Sequence, residues 1–196
     1  MNDQHFRRAV QWAAMLNLAY FLVEFVVALH IGSVSLLADS ADFFEDAAVN
    51  FLIFMALAWS ATQRARVGMA LACVLLAPAL AFLWALWSKL GAPAAPDPVK
   101  LTVTGLGALA VNLTSAFMLA RFKSHGGSLA KAAFLSARND VLANVAIIAA
   151  GGLTLWTRSL WPDVVVGFGI AAMNIDAARE VWTAARREQS EAAARP

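Results

Sequence analysis

The 196-residue chain is poor in charge, in cysteine and in histidine. Asp, Glu, Lys and Arg together make up 14% of it, with a formal net charge of +2. The one cysteine, Cys73, rules out an intrachain disulfide and a cysteine-based metal site. Only three histidines are present, His5, His30 and His125. His5 lies in the tail, and the other two read as solvated residues near span ends. No basic-aromatic patch is present, so nucleic acid is not an expected partner. What fills the chain instead is apolar: 61% hydrophobic residues and a mean hydropathy of +0.65, the composition of a membrane protein. The N-terminus, MNDQHFRRAVQW, runs straight into a long apolar segment without a small-residue cleavage site, so that segment is expected to be retained. The excess of Arg over Lys and the abundance of Ala point to a GC-rich bacterial genome, and so to the inner membrane of a bacterial cell.

Six apolar stretches are long enough to cross a bilayer: Ala9–His30, Val34–Trp59, Val67–Ser88, Val99–Ala120, Ala130–Thr154 and Pro162–Ala184. They are separated at Gly32-Ser33, Gln63–Arg66, Gly91–Pro98, His125-Gly126-Gly127 and Arg158–Pro162, and Pro78 predicts a kink in the third. The expected fold is therefore all-α and integral to the membrane. It divides into an N-terminal tail over residues 1–8, a six-helix transport domain over 9–184 and a short tail over 185–196. Placing the N-terminus in the cytoplasm puts nearly all Lys and Arg on that side and leaves only Lys89, Lys100 and Arg158 outside, with Arg138 inside a span. Both termini are expected to be cytoplasmic. Trp59, Trp84, Trp87, Trp156 and Trp161 fall near span ends and read as interfacial anchors.

Against this apolar background the second span, LLADSADFFEDAAVN, carries Asp39, Asp42, Glu45 and Asp46. A carboxylate at membrane depth costs roughly 2.5–3.5 kcal/mol even on the lenient insertion scale. Asp39, Asp42 and Asp46, at i, i+3 and i+7, lie within about 60° of one another on a helix, so repulsion adds to that cost. The natural compensation is a cation: a metal, protons, or each in turn. The fifth span, KAAFLSARNDVLANVAII, places Ser136, Asp140 and Asn144 on one face and holds Arg138 and Asn139 beside them. If the two helices face each other, Asp42, Asp46 and Asp140 converge at one depth, and oxygen donors at that density suit a divalent ion. Either Glu24 or Glu45 is the expected partner of Arg138, in a structural role. Asn17, Asn50, Asn112 and Asn144 read as hydrogen-bonding glue between helices.

The segment GSVSLLADSADFFEDA resembles the second transmembrane segment of the cation diffusion facilitator family, in which an LLADA-like approach precedes a ligand pair four residues apart. That pair is Asp42 and Asp46 here. The family's second pair, in its fifth segment, matches Ser136 and Asp140. The resemblance covers most of Asn17–Ala184 and implies six spans, cytoplasmic ends and a metal site formed by Asp42, Asp46, Asp140 and Ser136. Many family members carry His or Asp where Ser136 stands, which leaves the fourth position open to water, Asn139, Asn144 or Asp39. Asp39, Asn139 and Asn144 are accordingly expected in supporting or pathway positions. The family usually ends in a metal-sensing cytoplasmic domain. The dozen or so residues after the sixth span are too few for one, so a homodimer is expected to form through the membrane helices, with Gly105, Gly107, Gly167 and Gly169 permitting close contact.

The resemblance implies export of a divalent metal in exchange for protons by alternating access. Zinc is first, then cadmium, with manganese, iron or cobalt compatible with an all-oxygen site. The metal is cargo and no permanent cofactor is expected; the lipid bilayer, metal ions and protons are the partners. Two other classes compete. A proton-coupled exporter of organic cations would want an aromatic-lined cavity, and only Phe43 and Phe44 sit immediately beside the acids. A metal-dependent membrane phosphotransferase would need D-x-x-D-G, whereas Phe43 follows Asp42. The chain is therefore expected to be a secondary transporter and not an enzyme.

Overall fold

A computed structural model describes residues 3–56, 82–91, 93–120 and 127–173, with the isolated positions 63, 80 and 183; within the helices, some side chains, including those of 127–139, are not described. Helices run from Asp3 to Ile31 (α1), Val34 to Ala56 (α2), 82 to 91 (α3), Pro98 to Ala120 (α4), Gly127 to Thr157 (α5) and Trp161 to Met173 (α6). No strand occurs among the described residues. Of the expected spans, the first, second, fourth and fifth coincide with α1, α2, α4 and α5. The first helix begins earlier than expected and the fifth extends further at both ends. The kink at Pro78, most of the third span, the end of the sixth and the tail over 185–196 lie outside the described residues.

Each helix is built inside out relative to a water-soluble bundle. On α1 the buried stripe is Val10, Ala13, Asn17, Glu24 and Ala28, while Trp12, Met15, Leu18, Leu22, Val26 and Leu29 are exposed. The 3.6-residue period is present, but the polar residues point inward and the apolar face outward, as a lipid solvent requires. On α4 Thr104, Ala108, Asn112 and Ser115 are inside, and Val99, Val103, Leu106 and Phe117 outside. Among the described residues, three helices are long and apolar enough to cross a membrane by length and composition: His5–Ile31, Pro98–Ala120 and Asp140–Thr157. Helix α2 has the length, 23 residues, but carries the carboxylates. Trp84, Trp87, Trp156 and Trp161 are all exposed, beside the turns at that end of the molecule.

Four helices close into a ring. Helix α1 packs on α2 and α4, and α5 packs on the same two, so α1 and α5 stand diagonally across the interior. The turn between α1 and α2 fixes their register. Gly32 takes φ +64, the Ser33 amide returns to the Ala28 carbonyl at 3.0 Å, and Ser33 Oγ accepts the Leu36 amide at 3.2 Å. A left-handed glycine thus ends α1 and the following serine caps α2. Of the four glycines expected to permit close helix contact, three meet neighbours inside the chain, and a Cβ at Gly169 would meet nothing within 4 Å. A Cβ at Gly105 would meet Ile147 at 3.0 Å, one at Gly107 would collide with the Tyr20 hydroxyl, and one at Gly167 would lie 2.8 Å from the backbone of Val34 and Ser35. They serve close packing of α4 on α5, α4 on α1 and α6 on α2.

Candidate functional site

The interior of the ring holds two polar layers, each crossing from α1 through α2 to α5. In the first, Asn17 Nδ2 donates to Asp46 Oδ2 at 3.3 Å, and the Asp46 carboxyl meets that of Asp140 at hydrogen-bonding range. Asp46 is 8% exposed and Asp140 9%. Asp42 is half-buried one turn away on α2, and its charge also acts on Asp140. In the second layer Asn112 Nδ2 donates to Asn144 Oδ1 at 3.0 Å, and Asn144 Nδ2 donates to Asp39 Oδ2 at 2.7 Å. Asp39 in turn faces Glu24 across the α1–α2 contact. Asp39, Glu24 and Asn144 have no exposed surface. Along α2 the layers are two turns apart, about 10 Å.

The structure brings Asp46 and Asp140 together. It places Ser136 and Asn139 on α5, but their side chains lie outside those described, as does that of Arg138. Asn144 does not join the Asp140 layer; it turns one level away, to Asp39. Asp39 is fully buried. Asn17 and Asn112 do bridge helices, whereas Asn50 bonds within α2 to the Asp46 carbonyl at 2.8 Å. Glu24 faces Asp39, because the turn at Gly32 sets the two opposite each other; its expected pairing with Arg138 lies outside the described side chains. Among the described residues no group of three or more His, Cys, Asp or Glu side chains gathers into a cage ready to hold a metal ion.

The electrostatics of the interior are those of unmatched acceptors. Asn17 Oδ1, both Glu24 oxygens, Asp39 Oδ1 and Asp140 Oδ2 are buried with no hydrogen-bond donor among the described residues. Buried lone pairs of this kind are stabilised by something positive. The donor set is wholly oxygen, the chemistry of a hard or borderline divalent ion.

A third polar cluster was not anticipated. Asp163, fully buried at the start of α6, accepts from Ser33 Oγ (2.6 Å), the Val34 amide (2.9 Å), the Ser35 amide (3.1 Å) and Ser35 Oγ (2.7 Å). Lys89 of α3 pairs with it at 2.9 Å and donates to the Gly32 carbonyl at 2.6 Å. Every bond the carboxylate can make at the N-terminus of α2 is made, and the helix dipole adds to it. The signal was present in the sequence: an acid directly after Pro162, and Lys89, one of the few cations on that side. The cluster clamps α3 and α6 to the mouth of the acid-bearing helix.

A family model described as the cation efflux transmembrane domain matches residues 10–187. No curated protein matches the chain. With that match over nearly the whole chain, and with acids layered inside a ring of apolar helices, the chain belongs to the cation diffusion facilitator (cation efflux) family of multi-pass membrane proteins that transport divalent cations.

Proposed function

We propose that the protein exports divalent metal, zinc first and cadmium next, from the cytoplasm of a bacterial cell across its inner membrane, exchanging metal for protons. The observation that carries the proposal is the meeting of Asp46 and Asp140 across α2 and α5 at membrane depth, with Asp42 one turn away. Three carboxylates carry a formal −3 when ionised, and a divalent ion reduces it to −1, so the metal-loaded site is tolerable in a low-dielectric interior. When metal leaves, protons take the same oxygens. Ser136, one turn before Asp140 on α5, completes the proposed ligand set. Asn17 orients Asp46 by its amide, as a supporting group does for a ligating carboxylate. The working unit is a homodimer assembled through membrane helices, with both termini in the cytoplasm.

The test is metal flux into proteoliposomes carrying an internal metal dye, with zinc, cadmium, manganese, iron(II) and cobalt offered in turn. The expected result is flux of zinc and cadmium that falls to the level of empty liposomes in Asp46→Asn. Flux of no metal, or flux untouched by that substitution, contradicts the proposal. Flux confined to manganese, iron(II) or cobalt would reassign the cargo, as an all-oxygen site permits.

A further inference from the structure

We infer that Glu24 and Asp39 form a proton-carrying station separate from the metal-ligating acids, two turns closer to the Gly32 end of the bundle. Both residues are fully buried. Among the described residues neither Glu24 oxygen has a donor, nor has Asp39 Oδ1, and the two side chains lie at hydrogen-bonding range of each other. Ionised carboxylates only accept, so a bond between two carboxyl groups requires a proton between their oxygens. The groups facing the pair leave no other source of positive charge among the described residues. On α1, Tyr20 spends its hydroxyl on the Thr104 carbonyl at 2.6 Å. On α2, Asp42 and Asp46 are acids that act on the pair by charge, as does Asp140 from α5. Asn144 donates to Asp39 and is itself held by Asn112 of α4, so one carboxyl of the pair is oriented by a two-amide relay.

The position of the pair suits this role. It sits between the metal layer and the clamp at the N-terminus of α2. A groove of about 330 Å³ opens at that end, lined by Ala28, Ser33, Leu37, Trp84 and Lys89 among others. Ala28 is one turn from Glu24 on the buried stripe of α1. A proton arriving from that side reaches Glu24 and Asp39 before it reaches Asp46 and Asp140. Per cycle the pair takes up one proton from the side to which metal is delivered and releases it to the other side; only O–H bonds form and break. The inference rests on the metal-for-proton reading and adds to it one proton carried by a pair that does not ligate the metal.

The experiment counts protons moved per zinc ion in proteoliposomes with a pH dye and a metal dye, for wild type, Glu24→Gln, Asp39→Asn and Glu24→Asp. Insertion of each variant is checked by a single symmetric peak on size exclusion. The side-chain amide introduced by Glu24→Gln can still donate to Asp39, so the layer stays hydrogen-bonded without an exchangeable proton. The expected result is zinc flux that continues in Glu24→Gln with about one proton fewer moved per zinc ion, and the wild-type count restored in Glu24→Asp. Asp39→Asn gives the same reading if Glu24→Gln does not elute as a folded protein. A wild-type proton count in whichever of the two folds overturns the inference while leaving the metal-for-proton reading intact. A wild type that moves zinc without protons overturns both.

Discussion

At the scale of single residues, the chain resolves its buried acids in two different ways. Asp163 is matched completely, by four donors from the start of α2 and by Lys89. Asp39, Glu24 and Asp140 keep oxygens without donors among the described residues. The first arrangement holds structure; the second leaves room for a cation. The difference predicts opposite mutational phenotypes. Asp163→Ala strands Lys89, whose side chain is 7% exposed, and orphans four donors, so a loss of about 3–5 kcal/mol of stability is expected. Lys89→Met should be milder, because the α2 donors still satisfy Asp163. Thermal unfolding in detergent, followed by tryptophan fluorescence, checks both; an Asp163→Ala midpoint equal to that of the wild type would show that the clamp contributes nothing. Asp140→Asn, by contrast, should keep or raise the midpoint while zinc flux drops to background.

Among the elements, the α1–α2 hairpin sets the site. The acids of α2 were legible from sequence because charge inside an apolar run has few explanations. The pairing of Asp46 with Asp140 followed from the positions of both near mid-span. The layering was not read, although the short break at Gly32-Ser33 contains it: a tight turn fixes the antiparallel register, and that register sets Asn17 beside Asp46 and Glu24 beside Asp39. Asp163 escaped notice because a carboxylate at a span end is ordinarily solvated, and only the packing of α6 on α2 buries it. That packing is itself testable. A methyl group at Gly167 would lie 2.8 Å from the backbone of Val34 and Ser35, which cannot yield as a flexible side chain would. Gly167→Ala should therefore cost about 1–3 kcal/mol, read as a lowered unfolding midpoint; an unchanged midpoint would mean that α6 does not approach α2 so closely. The start of α4 makes a separate prediction. Asp97 accepts the amides of Val99 at 3.0 Å and Lys100 at 3.1 Å, and the Lys100 amide foremost holds its carboxyl below the ordinary carboxylate value. A depressed folded value means that the cap stabilises above the unfolded value of about 3.9 and is lost as pH falls through the folded one. Protection of the Val99 and Lys100 amides, relative to their intrinsic exchange rates at each pH, should fall only on that acid limb, and in Asp97→Ala should be low at neutral pH as well.

At the scale of the molecule, the described residues form a ring of α1, α2, α5 and α4 with apolar surface outward and acids inward, and with α3 and α6 fastened to one end of α2 by Lys89 and Asp163. Membrane class was legible from composition alone, and four of the six expected spans appear as helices close to their expected limits. What a list of spans does not contain is which helices touch, because lipid-facing and protein-facing apolar residues look alike in sequence; only the inward polar residues mark the interior. The central claim is that metal and protons compete for these inward oxygens across the membrane. The most direct measurement loads proteoliposomes with a pH dye, imposes a zinc gradient, and records internal pH for the wild type and for Asp46→Asn. The account predicts a zinc-driven proton movement opposite in direction to the metal and absent in Asp46→Asn. Zinc entering the vesicles with no change in pH, or an identical pH change in Asp46→Asn, would contradict it.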